Sequence, residues 1–395
     1  MKPTLANVHE CTGCSACVDS CSKRALTTYM ASDGHIYISC NENKCVLCHK
    51  CEKVCPVING IEYSSNIKTV SHPYSAYCTS DYIYKKSTSG GVFAALASQF
   101  VNDGGYVCGA IIENNCVKHI VSNKLDDIKK MQGSKYLQSS LNDVYRKIDE
   151  LLKQGFKVLF CGMGCQGAAM YSFFRKHQNR DLLYIIDMIC GGVPTSYLAN
   201  SFLDNESNYK QIVGFRRKGD YVLSCLNRNE EIVYLEHKTL PICGFWTGVT
   251  NRYSCGDCQF CGIERLSDIT IGDLWGPLSK GCIHKSVAIV HSVKGEDLLN
   301  STRLLSVSQI DWSFVLYNYR CVIGKTYKRF CLQRKLLAWN FKHLSYNQLC
   351  GLYGCSSNNP LWLFVKVYNK LLSICDKYII RKQLNKIIKS LNHAE

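Results

Sequence analysis

The stretch KVLFCGMGCQGAAM, Lys157–Met170, decides the fold of the larger part of this chain. Val158, Leu159 and Phe160 form an apolar run that enters Gly162-x-Gly164-x-x-Gly167, and an alanine-rich, helix-like segment follows. Asp187 closes the next apolar run, LLYIID, twenty residues after Gly167. By spacing alone this is strand, glycine turn, helix and an acid for a ribose, the dinucleotide fingerprint. Two cysteines, Cys161 and Cys165, sit inside the loop and argue otherwise. A dinucleotide loop needs its backbone open to a pyrophosphate, and a thiolate at Cys165 would put negative charge where the phosphates belong. A helix N-terminus favours a thiolate, which suits a cluster ligand or a redox thiol. The strand–turn–helix reading therefore stands, and the NAD(P) dehydrogenase reading becomes the weaker one.

Composition agrees with redox chemistry. The 395 residues are 46% hydrophobic and 20% charged, enough for two or three domains with a sizeable core and unlike a disordered chain. A formal charge of +16 points to a solvated basic surface or an acidic partner. No nucleic-acid module accompanies that charge, so no nucleic-acid partner is expected. The 26 cysteines fit either extracellular disulfides or intracellular metal and redox chemistry. The opening MKPTLANVHE lacks a basic region followed by an apolar one, and no apolar run is long enough to span a bilayer. The expected location is cytoplasmic.

The strongest motif is at the N-terminus. CTGCSACVDSC carries Cys11, Cys14, Cys17 and Cys21, and CVLCHKCEKVCP carries Cys45, Cys48, Cys51 and Cys55 before Pro56. Both have the C-x2-C-x2-C-x3-C spacing of two-cluster ferredoxins, in which the fourth cysteine serves the other cluster. The spacing assigns Cys11, Cys14, Cys17 and Cys55 to one 4Fe–4S cluster, and Cys45, Cys48, Cys51 and Cys21 to the second. Zinc would need only two C-x2-C pairs. Ser22 stands where a proline usually follows Cys21, and Cys40 lies outside the pattern. Between the runs, ALTTYM, ASDG and HIYIS read as strand, turn and strand.

Residues 62–73 are polar and aperiodic, a linker. From Tyr74 strands and helices alternate, which predicts an α/β domain with a mixed sheet in two parts, 74–150 and 151–330. Ser87-Thr88-Ser89-Gly90-Gly91 precedes a helix and offers hydroxyls and backbone N–H groups to a phosphate, or else is an ordinary capped turn. Gln132-Gly133-Ser134-Lys135-Tyr136 offers donors, a charge and an aromatic face, or is a surface loop. Cys255-Gly-Asp-Cys258-Gln-Phe-Cys261 spaces three cysteines as a metal loop does, with Cys190, Cys165, Cys243 or Cys282 as a fourth ligand. A third cluster competes there with zinc or a structural thiol group. RLSDITIGDLWG reads as a strand entering a turn, with Asp273 and Trp275 exposed at its end.

In order along the chain, the two-cluster ferredoxin is followed by STSGGVFAALA, MQGSKYLQS, VLFCGMGCQ, DMICGGVPTSYL and YSCGDCQFCGIERLSDITIGDLWG. This series, over about residues 1–330, resembles the coenzyme F-420 hydrogenase/dehydrogenase beta subunit family, whose relatives include bacterial proteins of polysaccharide biosynthesis. The resemblance implies an α+β ferredoxin domain (1–61), then an α/β mixed-sheet flavin-binding domain and a basic helical tail (331–395). It implies a ferredoxin-linked flavin oxidoreductase with two 4Fe–4S clusters or three, and FAD ahead of FMN or coenzyme F-420 as the flavin. A flavin takes electrons singly and hands them on as a hydride equivalent. The resemblance sets Ser89, Gly90, Gly91, Gln132, Gly133, Ser134, Lys135 and Gln166 near the flavin, with Lys135 and Cys165 in the chemistry. Cys190, Cys255, Cys258 and Cys261 form the third thiol group. Two departures stand out: Gly164-Cys165-Gln166 replaces Pro-Cys-Gln, and Cys190-Gly191-Gly192-Val193-Pro194 replaces Cys-His-Gly-Val-Pro, so a histidine is missing. His284 and His291 do not replace it.

The implied partners are a ferredoxin or other low-potential donor and a small-molecule substrate. A non-catalytic electron-transfer subunit serving a separate hydrogenase or dehydrogenase is the alternative. Over 359–395 seven Lys or Arg face two acids, and Phe364, Val367, Leu371, Cys375, Tyr378, Leu384, Ile387 and Leu391 lie near one helical stripe. That tail reads as a helix pair packed on the domain, or as an interfacial helix touching anionic lipid at the inner face of the membrane.

Overall fold

The computed structural model describes residues 2–59, 71–217, 220–235, 238–275, 283–318, 336–353 and 367. Most of the tail, the centre of the expected linker, Gly276 and Cys282 lie outside the described residues.

The N-terminal part is built twice on one backbone plan. Helix α1 (Ala16–Ser20) follows the first cysteine loop and α2 (Lys50–Lys53) the second, and strands β1 (Leu26–Met30) and β2 (Ile36–Cys40) pair between them. The hairpin is antiparallel with Leu26 opposite Cys40 and Met30 opposite Ile36, the expected strand–turn–strand. In each loop the residues flanking the second cysteine have positive φ: Gly13 and Ser15 in the first (69° and 64°), Leu47 and His49 in the second (52° and 56°). A leucine held there is strained, and alternation of left- and right-handed residues turns backbone N–H groups inward, a concavity that suits an anionic iron–sulfur cluster.

The rest is an α/β domain. In chain order its elements are β3 (His72–Cys78), α3 (Asp81–Lys86), α4 (Val92–Asn102), β4 (Tyr106–Glu113), β5 (Cys116–Ser122), α5 (Leu125–Met131), β6 (Ser139–Ser140), α6 (Val144–Lys153), β7 (Val158–Met163), α7 (Gly164–Phe174) and β8 (Leu183–Met188). Then come α8 (Tyr197–Asn205), β9 (Tyr209–Gly214), β10 (Leu223–Asn227), β11 (Ile232–Leu235), α9 (Leu240–Thr247), β12 (Ile269–Asp273), β13 (Ser286–Val290), α10 (Val293–Ser301), β14 (Leu305–Gln309) and α11 (Trp312–Asn318). Two short helices, Leu337–His343 and Tyr346–Leu352, follow.

Nine strands make one mixed sheet in the order β14-β3-β13-β12-β8-β7-β4-β5-β6, with β4, β7, β8 and β12 parallel and the flanking pairs β4–β5, β12–β13, β13–β3 and β3–β14 antiparallel. Alternate residues of β7 serve opposite faces. Val158 and Phe160 pack with Ile148 of α6 and Met170 of α7, while Leu159 and Cys161 pack with Leu96 of α4 and Met131 of α5. A strand buried on both faces reads as a continuous apolar run, as VLF does. The small antiparallel sheet β11-β10-β9 was not foreseen. Its strands are four to six residues long and joined by the polar turn NRNE, a signal too weak to separate from a surface loop.

The ferredoxin part is bolted to the α/β domain through its backbone. Asp19 of α1 accepts from the N–H groups of Asp143 and Tyr145 at the start of α6 (2.9 and 3.0 Å), and Arg146 donates to the carbonyls of Asp19, Val18 and Cys21. Thr195 donates to the Asp33 carbonyl (2.7 Å) and Ser196 to that of Gly34 (2.9 Å). Among the described residues no helix is long and apolar enough to cross a membrane.

Two fully buried histidines set the acid response. His119 lies 3.0 Å from the Cys161 carbonyl through Nε2 and stacks on Phe160. His291 bridges Thr270 and Ser71. Burial pushes both down, His119 to about 4 and His291 to about 3. The unfolded chain takes up these protons near pH 6.5 while the folded chain refuses them, so stability is full above that pH and falls as the solution is acidified. Each histidine costs up to about 1.4 kcal/mol per pH unit in this window. In thermal melts from pH 7 to pH 5 we expect a steep fall in Tm, and a shallower one in His119→Gln; equal slopes would refute this origin.

Candidate redox centres

Two cavities in the ferredoxin part gather the eight cysteines as the spacing requires. The first is lined by Cys11, Cys14, Cys17, Cys55 and also Cys51, together with Leu5, Val8, Tyr37 and Ile58. The second is lined by Cys21, Cys45, Cys48 and Cys51. The fourth cysteine of each run thus reaches the other run's cavity. Burial pushes the Cys14 thiol up to about 12, and Cys55 and Cys11 add to it by their proximity. Cys17 and Cys55 are pushed up as well, and thiols so disfavoured as thiolates fit a site built for iron, which takes them in that form. Among the described residues no three His, Cys, Asp or Glu side chains are gathered for a single metal ion. The thiols instead line the walls of the two cavities.

A third thiol group lies at the C-terminal ends of the parallel strands, the edge where open α/β sheets carry their ligands. Met163 of β7 pairs with Met188 of β8, so Cys165 and Cys190, each two residues further on, leave the sheet side by side. The Cys190 loop is tied to the next element: Asn251 donates to the Gly191 carbonyl (3.1 Å) and Pro194 bridges to Asn251. The 3-10 turn Tyr253–Asp257 then delivers Cys255 and Cys258. Burial raises Cys165 well above the ordinary thiol range, and the neighbours that add to this are Cys258, Cys190, Cys255 and Cys14. Cys261 donates to the Cys258 carbonyl, and its thiol helps hold Cys258 down to about 7. The strand register therefore sets Cys165 beside Cys190, Cys255 and Cys258 act on Cys165 electrostatically, and Cys261 is hydrogen-bonded to the Cys258 carbonyl. Cys14 of the first ferredoxin cavity adds to the same shift.

The two loops that the sequence offers to a cofactor are neighbours. Thr88 and Ser134 hydroxyls lie 3.3 Å apart, and Gln132 Nε2 donates to Ser87 (3.5 Å). Gly90 N–H donates to Ser286, Ser89 donates to the Lys285 carbonyl, and a Cβ at Gly90 would run into the Ser286 nitrogen and the Ala76 carbonyl. Gly91, at φ 80°, starts α4, and Gly133, at φ 84°, starts the second loop. Lys135 turns its ammonium onto the carbonyls of Met131, Gln132 and Gly133 at the end of α5, and burial brings it down to about 7. Gln166 is held on both sides: it accepts from the Met163 N–H and donates to Ser139.

Two details differ from the sequence reading. Asp273 is half-buried in an ion pair with Arg216, whose guanidinium spans Tyr221 and Trp275. Asp187 is buried rather than open to a ligand. It is buried against Arg265 (3.3 Å), which explains the fingerprint spacing by packing. Sequence reasoning also missed Arg252, buried against the first ferredoxin loop, and the stack of Tyr136 on Phe245 and Tyr221. Neither carries a local signature, since each depends on segments about a hundred residues apart or more.

Residues 155–311 match the model for the C terminus of the coenzyme F420 hydrogenase/dehydrogenase beta subunit, and residues 10–59 match the 4Fe–4S dicluster domain. No curated protein matches the chain in sequence. Among solved structures it is similar to a chain of the xenon-derivatised F420-reducing [NiFe] hydrogenase complex from Methanosarcina barkeri, at 16% identity and a TM-score of 0.46, over 68% of this chain and 88% of that one. The dicluster domain makes this an iron–sulfur protein of electron transfer. With that domain set ahead of the matched region, the chain joins a 4Fe–4S dicluster domain to a segment similar to the C terminus of the coenzyme F420 hydrogenase/dehydrogenase beta subunit.

Proposed function

We propose that the chain is a ferredoxin-linked iron–sulfur flavoprotein oxidoreductase. Cys11, Cys14, Cys17 and Cys55 hold one 4Fe–4S cluster, and Cys21, Cys45, Cys48 and Cys51 hold another. Cys165, Cys190, Cys255 and Cys258 hold a third. Ser89, Gly90, Gly91 and the Gln132–Lys135 loop hold a flavin, FAD first, for which Lys135 is the cation nearest to hand. Bound there, the flavin supplies the conversion of single electrons into a hydride equivalent. The chain's own residues line the first ferredoxin cavity with apolar side chains, gather the thiols around it and fix both domains against each other. The donor is a low-potential ferredoxin and the acceptor a small substrate, with a glycan precursor as the class the family resemblance favours.

One observation carries this reading: the register of β7 and β8 sets Cys165 beside Cys190 at the sheet edge, and α7, which carries Cys165, shares a core with Cys14 and Ala16 of the ferredoxin part. It supports a continuous path from a cluster on one domain to a centre on the other, which a pair of unrelated metal sites would not need. Anaerobic purification with iron, sulfide and flavin counting tests it. The expected result is about twelve irons and one flavin per chain. About eight irons and no flavin would overturn the third cluster and the flavin together, leaving an electron-transfer subunit.

A further inference from the structure

We infer that Arg252, which belongs to the α/β domain, is the counter-charge of the cluster held by Cys11, Cys14, Cys17 and Cys55 in the ferredoxin domain, and that it raises that cluster's reduction potential. The inference rests on reading those four thiols as ligands. Arg252 is 1% exposed, the largest fully buried side chain described. Its Nε donates to the Cys11 carbonyl (2.6 Å), and Nη1 donates to the Ile36 carbonyl (2.6 Å) and to Gln138 (3.3 Å). Its guanidinium carbon stands 4.1 Å from the centre of the Tyr37 ring, and that ring lines the cavity of the four thiols. Gly13 makes this approach possible: at φ 69° it turns the cysteine loop, and a Cβ there would press on Arg252 Nη1 and the Ile36 carbonyl.

What is missing is an acid. Among the described residues no carboxylate forms an ion pair with Arg252, and Nη2 has no hydrogen-bond partner. The acid on the same hairpin, Asp33, is engaged by the Tyr37 hydroxyl and by His35. A buried guanidinium without a counter-charge is strongly unfavourable, and carbonyl acceptors with a ring face offset only part of that. The four thiols have the complementary problem. A cluster on four thiolates is an anion whose charge grows by one unit on reduction, so a fixed cation beside it favours the reduced form. The second cavity has no buried arginine of this kind: its basic side chains, Lys23 and Lys50, are solvent-exposed. The two ferredoxin clusters should therefore differ in potential, with the second as an internal control.

The full-length holoprotein, purified anaerobically, is titrated with dithionite and followed by electron paramagnetic resonance, as wild type, Arg252→Gln and Arg252→Lys. The signal of the first cluster is identified by its loss in Cys55→Ser. In Arg252→Gln its preference for the electron should fall tenfold or more, a drop in midpoint of about 59 mV for a tenfold change, while the second cluster keeps its midpoint and Arg252→Lys regains most of the loss. If Arg252→Gln sheds about four irons and Arg252→Lys keeps them, the charge role also stands. If both variants shed them, or both keep the wild-type midpoint, the inference fails. A Cys55→Ser protein with undiminished iron would instead overturn the ligand reading beneath it.

Discussion

Replacing Cys165 by alanine is expected to lower iron in the anaerobically purified chain from about twelve to about eight per molecule, with the ferredoxin signals intact. Cys165 is the second residue of α7, directly after β7, and burial raises its thiol, so a thiolate there calls for a metal to take it. Cys258, Cys190, Cys255 and Cys14 all act on its thiol electrostatically. Loss of this single ligand therefore removes both the third site and the bridge from the ferredoxin domain. In stopped-flow reduction by dithionite-reduced ferredoxin, the two ferredoxin clusters should still accept electrons while flavin bleaching falls to the rate seen without ferredoxin. Cys261→Ala is the matched comparison. Cys261 sits beside the group and bonds to the Cys258 carbonyl, so it should lower iron less than Cys165→Ala does. Equal losses, or none in Cys165→Ala, would reassign the ligands.

The ferredoxin domain was legible because its chemistry is local. Eight cysteines at fixed spacing need only a tight loop and one turn of helix, and the sequence repeat became a backbone repeat down to the paired left-handed residues at Gly13 and Leu47, Ser15 and His49. The central strands were legible for a related reason: VLF and LLYIID are buried on both faces, so the apolar run itself is the signal. Placement was not legible. Whether Cys165, Cys243 or Cys282 completes the third group depends on which strands are parallel neighbours and in what register, and a one-residue shift between β7 and β8 would move Cys165 away from Cys190. Arg252 was invisible for the same reason. It lies 241 residues from the carbonyl it holds at Cys11, and nothing around it in sequence marks it as buried.

Arg265→Met should cost about 3–5 kcal/mol of stability at neutral pH, since it strands Asp187 as an unpaired buried carboxylate. The Asp187 and Arg265 side chains are 2% and 3% exposed. Thr270 donates to Asp187 and in turn meets His291, so the acid is the hub of a network joining β8, β12 and β13. Burial pushes Asp187 above the usual carboxylate range, against which Arg265 is the first opposing influence. A carboxyl raised in the folded state favours folding at low pH and loses that advantage as pH rises through its folded value. The deficit of Arg265→Met should therefore shrink in acid, read as ΔG of urea unfolding at pH 7 and pH 5. Pairing it with Asp187→Leu should recover most of the loss, because an apolar replacement of both partners leaves no charge behind; additive losses would show that the two side chains do not act as a pair. The same pair accounts for the dinucleotide-like spacing. A Cβ at Gly164 would collide with the Arg265 guanidinium and the Phe260 carbonyl, and one at Gly167 would press on Ile185 and Asp187. The glycines at those positions let α7 cross closely over a buried ion pair, and the acid twenty residues on is that pair's other half. Gly167→Ala should then lack the stabilisation that a Gly→Ala change in a solvent-exposed helix normally brings, because its Cβ would stand 3.3 Å from the Ile185 side chain, and should leave the iron count unaltered.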